Sequence, residues 1–301
     1  MMTEELLKYC TNCVMPNTRP RITFNENGVC NACQWAEEKK QINWDERWTK
    51  LVEICEKEKE KNKEGFNCII PVSGGKDSCY VSYKMKHELG MKPLCISIKP
   101  PLPKAVGEEN LIQFAEAGYN LMAITPDPQL TSQISKYGFV NWGQPLYRWM
   151  LNVRTIIFRL AIQMKISLII FGDEGELEYG GSTQLKDKFT NDMEFTKKIR
   201  LSDNNPEVLK EHFPNKNLFW WNFPSEEDFN KNDIKVTHFS FFENWDPYRN
   251  YLVSKKYFKF KEQKEQSIGT YHNFTQTDCT LYDLHTYLMY LKFGFGRCSQ
   301  D

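Results

Sequence analysis

Ser73, Lys76, Asp77 and Ser78, grouped around the pair Gly74-Gly75, are the residues of this 301-residue chain whose types and spacing best suit chemistry. Glycine carries no Cβ, so backbone at Gly74 and Gly75 can approach a bound group closely. N–H groups in such a turn, and at the start of a helix that follows it, converge into an anion site suited to a pyrophosphate. Ser73 and Ser78 add hydroxyl donors and Lys76 a positive charge, while Asp77 can cap the helix or help place Mg²⁺. The pattern is not a Walker A loop, which needs four residues between a Gly and Gly-Lys-[Ser/Thr]; here Asp77 follows Lys76, and a P-loop NTPase is disfavoured. The plain alternative is an ordinary glycine turn capped by Asp77.

Two other groups stand out. Between Gly172 and Gly181 lie Asp173, Glu174, Glu176 and Glu178. Four acids in so short a stretch repel one another unless a cation or hydrogen-bond donors sit among them. A Mg²⁺ and nucleotide role is therefore expected, with Glu174 and Glu178 as catalytic candidates; a solvated loop with a helix N-cap is the alternative. Near the N-terminus, Cys10 and Cys13 are followed after sixteen residues by Cys30 and Cys33. This is the spacing of a four-cysteine zinc site, in which two pairs of thiolates close a tetrahedron. With Pro16, Pro20 and a turn from Asn25 to Gly28 between them, the segment reads as a ribbon too small to own a core. Structural zinc would supply its folding energy, on the order of 10 kcal/mol or more. A redox dithiol or an iron–sulfur cluster is the alternative.

The elements that must position these groups follow from hydrophobic periodicity. Strands are predicted at 67–72, 93–98, 120–125 and 167–171, and helices at 77–89, 107–117 and 146–164. Alternating strands and helices imply an α/β fold with a parallel twisted sheet covered by helices on both faces and a ligand crevice at the strand carboxyl ends. The first strand delivers Ser73 to Ser78 to that crevice, the second ends near Ser97 to Lys99, and the last brings Gly172 and its acids. Arg148, Arg154 and Arg159 fall in or near the third helix, where salt bridging is the ordinary expectation and substrate-anion binding the lesser one. The chain divides into a zinc ribbon (1–42), a connecting helix entered at Asn43 (43–65), an α/β region that carries the phosphate loop (66–182) and a mainly helical C-terminal region (183–301), for which the resemblance given below implies ATP binding and substrate binding in turn. In the last, periodicity predicts a helix at 206–212, a strand at 234–241, a helix entered by Asp246-Pro247, and a terminal helix with Leu281, Leu284, Leu288 and Leu291 on one face. His272 and His285 are candidate acids or bases.

Ser-Gly-Gly-x-Asp-Ser after a strand resembles the signature of the PP-loop ATP pyrophosphatases, which the family resemblance describes as Rossmann-type HUP-like folds that cut ATP to AMP and pyrophosphate. The joint presence of the two cysteine pairs, Ser73 to Ser78, Glu178-Tyr-Gly-Gly181 and Leu291-Lys-Phe-Gly-Phe-Gly-Arg297 is similar to the N-acetyl sugar amidotransferases of the PseA and WbpG type. That resemblance spans nearly the whole chain. It implies conversion of an acetamido group on a bacterial surface sugar or nonulosonic acid to an acetamidino group, within pathways that glycosylate flagellin or build lipopolysaccharide. The acceptor would be an acetamido sugar, free or linked to CMP or UDP. Ser73, Gly74, Gly75, Lys76, Asp77, Ser78, Ser97 and Gly172 would bind nucleotide, with Lys76, Asp77, Glu174 and Glu178 in catalysis. A zinc-containing tRNA thiolase and a nucleotide-binding scaffold without turnover are the rival readings.

Composition bounds these readings. Lys+Arg and Asp+Glu both number 39, so no overall charge favours nucleic acid, which counts against a tRNA substrate. Aromatics make up 14% and gather after residue 218, as suits either a pocket for sugars or a thick core. The longest apolar run, 166–171, is too short to span a bilayer, and the first residues lack a leader pattern, so a cytoplasmic protein without a membrane anchor is expected. Ten cysteines then point to metal or reduced thiols. A glutaminase activity would need a cysteine at a freed N-terminus or on a strand-to-helix elbow. Cys79 comes nearest but lies inside the loop's helix, so ammonia is expected from a separate glutaminase.

Overall fold

Apolar residues arriving in four- to six-residue runs, separated by longer amphipathic stretches, leave the chain little choice but a sheet between helices, and the computed structural model has that form. It describes residues 7–202 and 204–296. In chain order the elements are α1 (Asn31–Glu38), α2 (Trp44–Lys61), β1 (Cys68–Pro71), α3 (Lys76–Tyr83), β2 (Pro93–Ile98), α4 (Ala105–Glu116), β3 (Asn120–Ile124), α5 (Pro128–Trp142), α6 (Tyr147–Met164) and β4 (Leu168–Phe171). There follow α7 (Gly175–Glu178), β5 (Thr190–Asn191), α8 (Met193–Phe195), α9 (Val208–His212), α10 (Glu226–Lys231), β6 (Lys235–His238), α11 (Pro247–Phe258) and α12 (Leu281–Phe293).

The six strands form one sheet in the order β3-β2-β1-β4-β6-β5, parallel except for the two-residue edge strand β5. Alternation along each strand divides the core between the two faces. Cys68, Ile70, Cys95, Leu168 and Ile170 pack under α2, α3 and α11 with Leu51, Tyr80 and Phe258. Ile69, Leu94, Ile96, Ile169 and Val236 pack on the other face against Ile157, Phe158 and Ala161 of α6. Both sides of β1 and β4 are therefore dry, which is why these strands read as continuous apolar runs.

Several elements differ from expectation. The helix expected at 77–89 is α-helical only to Tyr83 and continues as one wider π turn, Lys84–Glu88, before Gly90 turns at φ +63°. The strand expected at 234–241 ends at His238, where a tight turn at Phe239–Phe241 takes over. Because β5 and β6 come from beyond residue 182, the sheet runs past the boundary drawn there from the sequence. Helix α5 has no counterpart among the elements predicted above. It is capped by Asp127, whose carboxylate accepts from Gln129 N at 2.8 Å, and starts at Pro128. Terminal helix α12 forms, but its leucines do not make a core face: Leu291 is exposed, and Thr286 is the buried residue. No helix among the described residues is long and apolar enough to cross a membrane.

Candidate active-site cleft and cysteine cluster

Beyond β1 the chain turns through Gly74, whose φ of +78° a side chain would resist, and enters α3 with Gly75 as N-cap. The first N–H to find a backbone partner here is that of Cys79, which donates to Gly75 O at 3.1 Å. Among the described residues none of the six N–H groups from Ser73 to Ser78 donates to a protein acceptor, as an anion site at a helix start requires. Ser78 Oγ donates to Gly75 O at 3.0 Å, which stiffens the turn. Lys76, buried, places Nζ 2.5 Å from Asp77 Oδ2, and Asp77 Oδ1 accepts from Asn250 Nδ2 of α11 at 2.9 Å. The loop opens into a cleft of about 450 Å³ lined by Ser73, Gly75, Lys76, Asp77, Ser78, Gly172 and Asp173. Ser97 is not on its wall: Ile96 and Ile98 face the cleft, and strand alternation turns Ser97 to the opposite, buried face.

The acidic stretch is a correction to the sequence reading. Of its four acids, only Asp173 lines the cleft. Glu176 takes a two-pronged ion pair from Arg21, at 2.9 and 2.7 Å, and accepts from Ser182 N. Burial opposes ionisation of Glu176, but Arg21 and the Ser182 N–H hold its carboxyl below the usual range. Glu178 accepts from Trp35 Nε1 at 3.1 Å and Lys39 Nζ at 2.6 Å. Glu174 is buried beneath Arg200 and His238, and burial pushes its carboxyl up despite Arg200. Glu174 and Glu178 are thus engaged by protein cations and donors and do not line the cleft. The partners come from position 200 and from the N-terminal unit, which also docks through Arg19 Nε on Gly180 O (3.2 Å) and Asn31 Nδ2 on Gly181 O (2.7 Å).

The rest of the cleft is built by residues that carry little or no local signal in the sequence. Arg154 of α6 lies over the Phe171 ring at 3.8 Å, and Arg200 stands beside it. None of Arg148, Arg154 and Arg159 forms an ion pair among the described residues; Arg148 donates to Lys99 O and Arg159 to Asn222 O and Phe223 O. Segment 274–278 closes the opposite side, with the Asp278 carboxyl near Ser73, and burial pushes that carboxyl above the usual range although Ser73 works against the shift. Gly107 at the start of α4 admits this segment, since a Cβ there would lie 2.6 Å from Thr277 O. Trp245 stacks an edge over Gly172. Neither His272 nor His285 lines the cleft; burial holds His285 down to about 4, and His272 stacks on Phe274.

Cys10, Cys13, Cys30 and Cys33 come together, every Sγ within 4.8 Å of the others. Cys10 to Cys33 is 4.0 Å and Cys13 to Cys30 is 3.7 Å, close to the sulfur–sulfur edge of about 3.8 Å that a tetrahedron with Zn–S near 2.3 Å requires. N–H groups of Asn12 and Cys30 point at Cys10 Sγ and that of Met15 at Cys13 Sγ, as thiolate ligands need. Burial works against the Cys10 thiolate, but these N–H donors bring its pKa down to about 6, whereas burial and the neighbouring thiols push Cys13 and Cys30 up. The four residues fit one tetrahedral metal ion. Cys79 is buried with Sγ against Gly74 O, and burial raises its thiol well above the usual value. Arg297 and Cys298 lie outside the described residues.

No family model matches the chain, and no curated protein matches it. Solved structures that resemble it include a predicted subunit of tRNA methyltransferase from Methanocaldococcus jannaschii, at 13% identity and TM-score 0.37, covering 75% of this chain and 88% of that one. An NH3-dependent NAD synthetase from Campylobacter jejuni shares 17% identity at TM-score 0.34, covering 61% of this chain and 99% of that one. An NMN synthetase from Francisella tularensis shares 13% at TM-score 0.35, covering 75% and 98%.

Proposed function

We propose that this chain is an AMP-forming, ATP-dependent amidotransferase that converts the acetamido group of a sugar to an acetamidino group with ammonia. The observation that supports this most is the run of six N–H groups from Ser73 to Ser78, unpartnered among the described residues, at the carboxyl end of β1. That site suits the pyrophosphate of ATP, with Lys76 offsetting charge, Ser73 as a hydroxyl donor, and Ser78 as a second donor if its hydroxyl turns from Gly75 O. An amide carbonyl resists ammonia because its oxygen leaves poorly. Attack of that oxygen on the α-phosphorus expels pyrophosphate and gives an adenylated imidate. Ammonia then adds to the imidate carbon, a proton leaves the nitrogen, and AMP departs carrying the former amide oxygen. Asp173, which lines the cleft, would be the carboxylate to hold a Mg²⁺ ion that screens the phosphates, joined by Asp77 if the ion displaces Lys76 from it.

The cysteine cluster, read as structural zinc, would hold the N-terminal unit in the form that carries Arg19, Arg21 and Lys39 to the acidic loop. Ammonia would come from a separate glutaminase, since Cys79 is too buried to serve as a nucleophile. A tRNA thiolase is disfavoured because no cysteine lines the cleft among the described residues. Incubation with ATP, ammonium and CMP- or UDP-linked acetamido sugars should release AMP and pyrophosphate, and Asp77→Asn should abolish this with the fold intact. Release of ADP and phosphate, or full turnover by Asp77→Asn, would refute the proposal.

A further inference from the structure

The cleft has a second cationic wall that the loop chemistry leaves unused. Arg154 rises from the middle of α6, half-buried, with its guanidinium on the face of Phe171. Among the described residues it has no ion pair and no hydrogen bond; its stacking on Phe171 is the contact that holds it. Burial, with Arg200 adding to it, brings its pKa down to about 9, against the pull of Glu174, Tyr282 and Asp173. Next to it, Arg200 gives Nη2 to Glu174 and sits 3.1 Å from His238 Nε2, while its Nε is buried without a partner. His238 is no rival cation, because burial and both arginines hold it neutral. A guanidinium partly withdrawn from water with no acceptor is unfavourable, and a fork of donors left open matches the paired oxygens of a carboxylate or phosphate.

The pyrophosphate already has its place at Ser73 to Ser78, and Lys76 is held by Asp77. Arg154 belongs to a different part of the wall, among Trp149, Phe171, Tyr179 and Tyr282, where ring faces suit a sugar. We infer that Arg154, seconded by Arg200, binds an anionic group on the molecule that is amidated, so that the enzyme selects acidic acetamido sugars over neutral ones. The anionic group is a carboxylate on the sugar itself or a phosphate of its nucleotide carrier. This inference rests on the ATP reading given above.

The test uses calorimetry on the full chain saturated with a non-hydrolysable ATP analogue. Inorganic phosphate is titrated first, because it carries the shared chemistry without the sugar. The wild type should take up one further phosphate. Arg154→Met should weaken that uptake by at least about tenfold, the loss of a charge-assisted pair, and Arg154→Lys should fall between. Affinity for the analogue should stay the same in both variants, which also shows that they fold. N-acetylneuraminic acid and UDP-N-acetylglucosamine then separate the two sources, the one that competes with phosphate naming the group, and neutral N-acetylglucosamine should not compete. Absence of phosphate uptake by the wild type, or equal uptake by Arg154→Met, would overturn the inference. Loss of analogue affinity in Arg154→Met would also overturn it, by assigning the arginine to the nucleotide. A wild type that does not bind the analogue at all would remove the ATP reading and this inference with it.

Discussion

Gly74 and Gly75 are adjacent, yet alanine at the two positions should fail in opposite ways. At Gly74 the backbone has φ +78°, and a Cβ would lie 2.7 Å from Leu111 N and 3.0 Å from the Asn110 carbonyl carbon. These are backbone atoms of α4. Asn110 is pinned from both ends of its side-chain amide by Lys261, so that wall gives way poorly. The left-handed backbone costs about 1–2 kcal/mol, overpacking about 1–3, and the stiffer unfolded chain returns about 0.4–1, a net loss of about 1–5 kcal/mol. For a chain of this size that lowers Tm by roughly 2–8 °C. At Gly75 the backbone has φ −72° and ψ 160°, which any residue adopts, and a Cβ would meet only Ser73 Oγ at 3.2 Å. Gly75→Ala should therefore melt within about 1 °C of wild type. Its methyl stands at the open N–H groups, however, and a displacement of that order should cut AMP formation about a hundredfold. Scanning fluorimetry and AMP release on both variants give the comparison. Gly74→Ala melting with the wild type would show that α4 does not press on the loop as described, and Gly75→Ala melting well below it would show that Ser73 leaves no room for the methyl.

Three further outcomes are expected. Metal analysis should find one zinc ion per chain, and Cys13→Ser or a chelator should lower Tm, because a metal at the four cysteines would supply folding energy to the N-terminal unit; unchanged melting after complete metal removal would contradict this. Arg21→Ala removes both prongs on Glu176 and should destabilise by about 1–3 kcal/mol while speeding amide hydrogen exchange across residues 175–181; unchanged exchange there would mean that the pair does not hold the loop. Burial and Lys292 depress His285 from 6.5 to about 4, so its contribution to stability is complete above pH 6.5 and is lost as pH falls toward 4. Urea midpoints across that window should fall less steeply for His285→Gln, and identical slopes would place the acid sensitivity elsewhere, with His238 the next group to replace.

What the sequence revealed and what it hid follow from how local each signal is. Strands β1, β2 and β4 were legible because both their faces are buried, leaving apolar runs bounded by turn residues. The loop from Ser73 to Ser78 and the four cysteines were legible because their chemistry lies in short spacings. Helix α5 was missed because its buried stripe is narrow, Leu130, Ile134 and Gly138, although Asp127-Pro128 announces its start. Partners at long range leave no such trace. Arg21 and Lys39 look like any solvated charge until folding sets them against Glu176 and Glu178, and for that reason the acids read as metal ligands. Asp278 meets Ser73 only because Gly107 lets the segment before Cys279 settle on α4, a contact that no local pattern encodes.

The fate of the amide oxygen tests the central claim most directly. An acetamido sugar carrying heavy oxygen in its acetyl carbonyl is incubated with the chain, ATP, Mg²⁺ and ammonium, and the nucleotide products are examined by mass spectrometry. If the loop at Ser73 to Ser78 holds pyrophosphate while the amide is adenylated, the heavy oxygen ends in the phosphate of AMP and the sugar gains an imino nitrogen in its place. Heavy oxygen that stays on the sugar while ATP is cleaved, or nucleotide released as ADP, would contradict the account.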